Sequence, residues 1–219
     1  MKLLKLSLAA AVLATVVLAE EAKSEIGVSA NMAMTSNYVW RGMTQTSNSP
    51  AIQGGFDVDY NGLYAGVWGS NVNFGNKASM EADLYLGYAG EVAGLGYDIG
   101  AIQFAYPNET QSSNFAEVYV GLSYDLEVVA LSATYSMGQT TDDFEAPDNV
   151  EIGVSAPLPA EIALDITYGM YDTFGDYYSA GLSKSLGKFD YTLAYTGFTH
   201  DVDSGSDESN IVATLATSF

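Results

Sequence analysis

The sequence contains no cysteine, and basic residues are scarce: seven Lys and Arg stand against 27 Asp and Glu, for a net charge of −20. Without cysteine the chain has neither a disulfide nor a thiolate metal site. Nucleic-acid binding needs a basic surface that neutralises phosphates, so nucleic acid is excluded as a partner. Proline is also rare at five residues, whereas glycine (22) and tyrosine (16) are abundant. This composition favours β-strands joined by turns.

The N-terminus has the pattern of a secretory signal peptide. Two lysines precede a largely apolar run from Leu6 to Leu18, and Ala19 then precedes two glutamates, which gives a charged region, an apolar region and a small residue at the cleavage site. The run is shorter than the roughly 20 residues that a membrane anchor needs to cross a bilayer as a helix. We therefore predict a signal peptide over residues 1–19 and one mature domain over residues 20–219.

The mature sequence consists of twelve runs in which apolar residues alternate with small or polar ones. In one run Leu84 and Leu86 are separated by Tyr85 and flanked by Asp83 and Gly87. A period of two predicts β-strands whose two faces differ. The runs are 26–35, 51–60, 63–72, 80–88, 95–106, 116–124, 129–135, 150–156, 162–170, 178–182, 189–195 and 211–215.

The connections between these runs alternate between short and long. Five are short, among them Asn61-Gly62, a strong hairpin signal. Six are longer and polar, at 37–50, 71–79, 107–114, 137–148, 172–176 and 199–209. Short turns at one end and longer loops at the other are typical of outer-membrane barrels. We predict an all-β fold, a transmembrane antiparallel up-and-down β-barrel of about 12 strands in contact with outer-membrane lipids.

A secreted β-sandwich would also alternate apolar and polar residues, so three further features support the barrel. The apolar face is similarly apolar in nearly every run, as expected if it contacts lipid throughout. Aromatic residues such as Trp40 and Tyr88 gather near the ends of runs, which is typical of the two interfacial girdles of a barrel. The last amphipathic run is followed by Phe219, which resembles the C-terminal signal of outer-membrane proteins.

Two segments and the C-terminal phenylalanine resemble the TorF family of porins from Gram-negative bacteria. The segments are SNYVWRGMTQT at residues 36–46 and PAIQGGFDVDYNGLYAGVWGSNV at residues 50–72. The resemblance implies an outer-membrane β-barrel, located in the outer membrane of a Gram-negative bacterium. It implies no substrate and no functional residues.

Assigning the aliphatic face to lipid predicts which side chains line the pore. Nine carboxylates fall on the inward face, and no lysine shares it; they are Asp57, Asp59, Glu81, Asp83, Asp98, Glu117, Glu151, Asp165 and Asp190. Carboxylates without cationic partners are costly to bury, so this face favours a lumen that water enters. Small inward residues such as Ser132 and Thr167 would leave space there. A filled structural barrel is the alternative.

Two further features bear on whether the lumen is open. Arg41 would face inward, where it could pair with a lumen carboxylate, if the first strand continues past Tyr38; otherwise it belongs to the external loop. The polar loop 137–148 is long enough to fold inward and is the candidate constriction.

The sequence offers little for catalysis. His200 is the only histidine, so a hydrolase has one candidate base, which would also need a serine and an orienting group. The acidic stretch 201–208 suggests calcium, but Ser206 stands where an EF-type loop has glycine. Two interpretations of this stretch stay open: a solvated external loop, and a weak site for divalent ions near the lipid head groups. We predict no enzyme, no cofactor and no resident metal.

These observations favour a porin-like channel for passive diffusion of small hydrophilic, cationic solutes through an acidic lumen. Two alternatives are a structural or surface-interaction barrel whose external loops carry the function, and an outer-membrane barrel hydrolase.

Overall fold

The computed structural model describes residues 26–107, 109, 114–139, 146–201 and 206–219. The predicted signal peptide at 1–19 lies outside the described residues. Within the described part of the chain, no helix is both long enough and apolar enough to cross a membrane.

The described chain forms fourteen strands in sequence order, twelve of them in one sheet. The strands are β1 (Gly27–Thr35), β2 (Val39–Trp40), β3 (Met43–Thr44), β4 (Ala51–Tyr60), β5 (Leu63–Asn71), β6 (Met80–Val92), β7 (Leu95–Ala105), β8 (Phe115–Asp125), β9 (Ala130–Gln139), β10 (Asn149–Leu158), β11 (Ile162–Tyr171), β12 (Gly175–Leu186), β13 (Phe189–His200) and β14 (Glu208–Ser218).

Strands β1 and β4–β14 form a closed antiparallel barrel, in which each strand pairs with its neighbours in sequence and β1 closes onto β14. The predicted twelve-stranded barrel is therefore confirmed. Short turns lie at one end, which we call the turn end; the opposite end is the loop end. Asn61 and Gly62 form a turn with φ values of 50° and 85°, as a tight hairpin requires. One connection predicted to be long is short, because β12 already begins at Gly175.

The register places apolar side chains of adjacent strands together on the outer face. Val67 lies opposite Leu84, and Ile99 lies opposite Val120. All four side chains are exposed, as are large apolar residues on every barrel strand. Soluble monomers seldom expose so extensive an apolar surface, so the outer face requires an apolar surrounding medium.

The core lies inside the barrel, near the loop end. Ile102 and Phe104 from β7 and Tyr119 from β8 are buried there together with Tyr38, which belongs to the segment between β1 and β4. Aromatic side chains therefore fill part of the barrel interior at this end.

Arginine substitutions test the outer face. Leu84 and Val120 are exposed near the middle of their strands, and arginine at a bilayer midplane costs about 2–4 kcal/mol in a barrel. We expect Leu84→Arg and Val120→Arg each to lower the free energy of unfolding by that amount, measured by urea titration in lipid vesicles.

The control for these variants is Ser132→Arg, an exposed position on the inner face of β9. Asp83 and Tyr119, the inward neighbours of the test positions, are unsuitable because they are only 1% and 6% exposed. A loss at Ser132 as large as that at Leu84 would show that the assignment of faces is wrong.

Candidate functional site

The first long loop folds into the barrel. Residues 36–50 connect β1 to β4 and contain the hairpin β2–β3. Tyr38, Val39 and Arg41 are 5%, 3% and 8% exposed. We call residues 37–46 the inserted hairpin, because they occupy the lumen at the loop end.

Aromatic contacts seat the inserted hairpin against both sides of the lumen. The Trp40 ring lies 5.6 Å from that of Phe104 on β7 and 6.1 Å from that of Phe115 on β8. It also lies 5.6 Å from the ring of Tyr171 on β11. Tyr38 packs edge-on against Trp68 of β5 at 5.5 Å. The hairpin therefore spans the lumen between opposite strands.

Arg41 forms a two-pronged ion pair with Glu117 of β8. Its two terminal nitrogens each donate to one carboxylate oxygen at 2.7 Å, and the two side chains are 5% and 0% exposed. The guanidinium also lies 4.3 Å from the centre of the Trp40 ring and 4.7 Å from that of Tyr171. Burial alone would lower the pKa of Arg41, but the Glu117 carboxylate raises it beyond its ordinary value, so the guanidinium stays charged.

The inward position of Arg41 answers the question that the sequence left open, though not by the expected route. The strand β1 ends at Thr35, and Arg41 reaches the lumen because the loop turns back into the barrel. Pairing with a lumen carboxylate therefore occurs without extension of the first strand.

Polar contacts fix the rest of the inserted hairpin. The Tyr38 hydroxyl donates to Glu81 of β6 at 2.9 Å, and the Thr44 backbone N–H donates to Glu208 of β14 at 2.8 Å. Burial, followed by the nearby Glu81 charge, raises the pKa of Tyr38 well above its ordinary value, so this phenol remains a donor. At the tip, Gly42 has φ 78°, and a Cβ there would lie 2.3 Å from the carbonyl oxygen of Gly197.

The nine predicted pore-lining carboxylates lie on the inner face of the barrel and divide into two groups. Near the inserted hairpin, Glu81, Asp83 and Glu117 are almost fully buried. Both oxygens of Asp83 lack a hydrogen-bond partner among the described residues. Glu151 also lies near the inserted hairpin, half-buried, and accepts from the Tyr177 hydroxyl at 2.8 Å.

The second group lies toward the turn end and is more exposed. Neutral hydroxyls donate to most of its members: Tyr85 to Asp57, Tyr64 to Asp98, Ser155 to Asp165 and Ser185 to Asp190. The remaining member, Asp59, is exposed and lies beside Gly27. Among the described residues, the ion pair between Arg41 and Glu117 is the only one, so the other eight carboxylates have no cationic partner there.

A cavity with about 30 Å³ of space for water-sized molecules lies between the inserted hairpin and strands β9–β13 and opens to solvent. Trp40 and Arg41 line it on the hairpin side, and Glu151 and Asn149 lie opposite. The wall also carries hydroxyl groups, from Thr134, Ser136, Thr167, Tyr177, Ser179 and Thr196. Strands β9–β13 thus present small polar groups beside the hairpin.

The other sequence-predicted features lie partly outside the described residues. Of the loop 137–148, proposed as a constriction, residues 140–145 fall outside, while Ala146 and Pro147 are buried. Residues 202–205 of the acidic stretch also fall outside. The inserted hairpin was not predicted from the sequence. The signal that could have shown it is the apolar Tyr38-Val39-Trp40 followed by an isolated arginine within a polar loop.

His200, the candidate base, lies at the loop end of β13. Its ring packs edge-on against Phe198 at 4.7 Å, and its backbone N–H donates to Asp207 at 3.1 Å. In the part of the chain that the structure describes, no hydrogen bond joins its imidazole to a serine. The geometry required for a serine nucleophile is therefore not assembled by these residues.

Comparison with protein families gives a match over residues 19–210 to Gcw_chp, whose description is "Bacterial protein of unknown function". The chain belongs to this family. The resemblance to the TorF family is not confirmed by this match. A search of curated proteins finds no sequence match.

Solved structures with the same fold include two porins and a phospholipase. The KdgM porin has a TM-score of 0.63 and 8% identity, over 87% of this chain and 99% of that one. The NanC porin has a TM-score of 0.54 and 12% identity, over 88% and 99%. Outer membrane phospholipase A from Escherichia coli has a TM-score of 0.53 and 11% identity, over 87% and 89%. At these identities the likeness shows the fold, a closed barrel of the outer-membrane type.

A double-mutant cycle tests the ion pair in the lumen. Arg41→Met leaves Glu117 buried without a counter-charge, and Glu117→Gln does the same to Arg41; breaking such a pair on one side costs about 3–5 kcal/mol. We expect the double variant to lose much less stability than the sum of the single variants, measured by urea unfolding. Additive losses would contradict a direct interaction between these two side chains.

A matched pair of glycine substitutions tests the seat of the inserted hairpin. Gly42 and Gly75 have similar φ values of 78° and 74°, but only Gly42 faces a backbone clash, since a Cβ at Gly75 meets nothing within 4 Å. We expect Gly42→Ala, but not Gly75→Ala, to displace the hairpin. The measurement is trypsin cleavage after Arg41, which should rise in the first variant only; cleavage at the exposed Lys77 serves as the internal reference. Equal protection of Arg41 in both variants would contradict the assigned seat.

Proposed function

We propose that this protein is a porin-like channel in the outer membrane of a Gram-negative bacterium, through which small hydrophilic, cationic solutes diffuse passively. The observation that carries the proposal is the charge of the inner face. Its eight unpaired carboxylates stand against one cation among the described residues, Arg41, which Glu117 already neutralises.

The outer face supports the location. Exposed aliphatic side chains surround the barrel, and contact with lipid hydrocarbon removes them from water. A closed barrel satisfies the backbone hydrogen bonds that a bilayer cannot satisfy. The predicted signal peptide at 1–19 would direct export, and the fold is that of the outer-membrane porins KdgM and NanC.

The inner charge supports a preference for cations. Low-dielectric walls focus the field of the carboxylates, so cations are concentrated in the lumen. Salt weakens the effect, because the screening length falls from about 10 Å at 0.1 M to about 3 Å at 1 M. The KdgM porin has been solved in complex with disordered oligogalacturonate, whose sugars carry carboxylates. The acidic lumen of this chain would repel such a solute.

The inserted hairpin supports a limit on solute size. It crosses the lumen at the loop end and packs its Trp40 ring against aromatic residues of β7, β8 and β11. Space is left beside it along β9–β13, where the inner residues are small and polar. We place the passage along this wall.

The same aromatic packing favours a second candidate function, a filled structural barrel whose external loops contact other molecules. Trp40, Phe104 and Phe115 would then close the lumen permanently. The hydrolase has weaker support, because the likeness to the phospholipase extends to the fold and His200 contacts Phe198 and Asp207.

Ion selectivity tests the channel. In planar bilayers under a KCl gradient, we expect the reversal potential to be shifted from zero toward the equilibrium potential of K⁺. It should move toward zero in the variant Asp57→Asn/Asp98→Asn/Asp165→Asn, because the acceptors are retained while three lumen charges are removed. The matched control, Asp125→Asn/Glu127→Gln/Glu161→Gln, removes one charge from the exposed end of β8 and two from exposed turns and should leave the reversal potential unchanged.

Two results would contradict the proposal. Preference for anions in the unmodified protein would exclude the cationic selectivity. Absence of conductance in protein whose barrel is folded, shown by altered migration on unboiled gels, would favour the structural barrel instead.

A further inference from the structure

The cavity beside the inserted hairpin contains a buried hydroxyl group without a partner. Ser136 of β9 is 0% exposed, and its Oγ has no hydrogen bond to any described residue. The side chain lines the cavity. Buried polar groups are nearly always hydrogen-bonded, so an unpaired hydroxyl at a cavity requires a polar partner, which a bound molecule can supply.

The charge of the cavity is negative. Arg41 contributes no free positive charge, because both of its terminal nitrogens bind Glu117. Glu151 is the remaining charged residue of the lining. Tyr177 donates to one of its carboxylate oxygens at 2.8 Å, and the other oxygen receives no hydrogen bond from a described residue. The cavity thus contains a carboxylate that the Arg41 charge influences but does not ion-pair with, and one of its oxygens is an available acceptor.

The neutral lining adds further acceptors. Thr134, Thr167, Ser179 and Thr196, each of which carries a hydroxyl group, line the same cavity as Ser136 and Glu151. A hydroxyl both donates and accepts, whereas a carboxylate only accepts. The set therefore suits a ligand with several donors and a positive charge, and the carboxylate disfavours an anion.

We propose that this cavity is a binding site for a small primary ammonium solute, with Glu151 as the counter-charge and Ser136 as one of the acceptors. An ammonium group has three donors and no acceptor, which matches the lining. The biological role of this site rests on the proposed channel function, since the site would lie on the permeation path beside the inserted hairpin. Binding itself does not require that the channel conducts.

Binding is tested separately from conductance. The probe is ethanolammonium, titrated calorimetrically into the folded, detergent-solubilised protein at low ionic strength. Its comparators are ethylene glycol and glycolate, which are of similar size but neutral and anionic. We expect ethanolammonium to bind at least tenfold more tightly than either comparator.

Variants locate the site. Glu151→Gln keeps the shape and removes the charge, so it should weaken ethanolammonium binding at least tenfold, and Ser136→Ala should weaken it several-fold. Glu127→Gln removes one charge from an exposed turn and should leave the affinity unchanged. Folding of each variant is checked by its migration on unboiled gels.

Each remaining outcome decides the question. No binding by the folded unmodified protein, or equal binding of ethylene glycol with no effect of Glu151→Gln, would overturn the ammonium site. Conductance without ethanolammonium binding rejects the site and keeps the channel, whereas binding without conductance keeps the site and rejects the channel.

Discussion

The contact between Arg41 and Glu117 determines how the barrel interior is organised. A glutamate that is 0% exposed on the inner face of a strand would be unstable without a counter-charge, and the described strands supply no cation to the lumen. The counter-charge is Arg41, which belongs to the inserted hairpin, so this hairpin has to lie inside the barrel for the ion pair to form. With Arg41 in this position, the neighbouring Trp40 packs between β7, β8 and β11. The space that is left in the lumen lies along β9–β13.

The uneven size of the inner side chains explains why the space lies on that side. On β5–β8, tyrosine rings lie directly across from glycines of the neighbouring strand: Tyr85 covers Gly66, Tyr64 covers Gly87 and Tyr119 covers Gly100. A Cβ at any of these glycines would lie within 2.5 Å of the ring that covers it. Part of the abundance of glycine and tyrosine in the composition is thus explained by this packing of tyrosine rings over glycines. The same pairing occurs on β11–β12, where Tyr177 covers Gly169, but most of the cavity lining along β9–β13 consists of serine and threonine.

The sequence predicts the strands well because each of them meets the same requirement. One face contacts an apolar medium and the other does not, so the period of two recurs, and Leu84 and Val120 can be assigned to the outer face from the pattern alone. The sequence of the inserted hairpin does not alternate between apolar and polar residues in this way. Its ten residues are mostly polar or small, and its position depends on Glu117, which is 76 residues away in sequence from Arg41. A contact of this kind depends on barrel closure, which a local pattern does not encode.

The attachment points of the inserted hairpin connect it with the closure of the barrel. Strands β1 and β14 share five registered pairs, whereas β12 and β13 share twelve, which makes the join between first and last strands the least extensive contact in the sheet. The hairpin follows β1 directly, and it binds β14 through Glu208 and Asn210. The hairpin therefore connects β1 and β14, the two edge strands that pair to close the barrel. Narrowing of the lumen and completion of the cylinder therefore share contacts, because the hairpin cannot complete its hydrogen bonds until β14, the last strand along the chain, is in place.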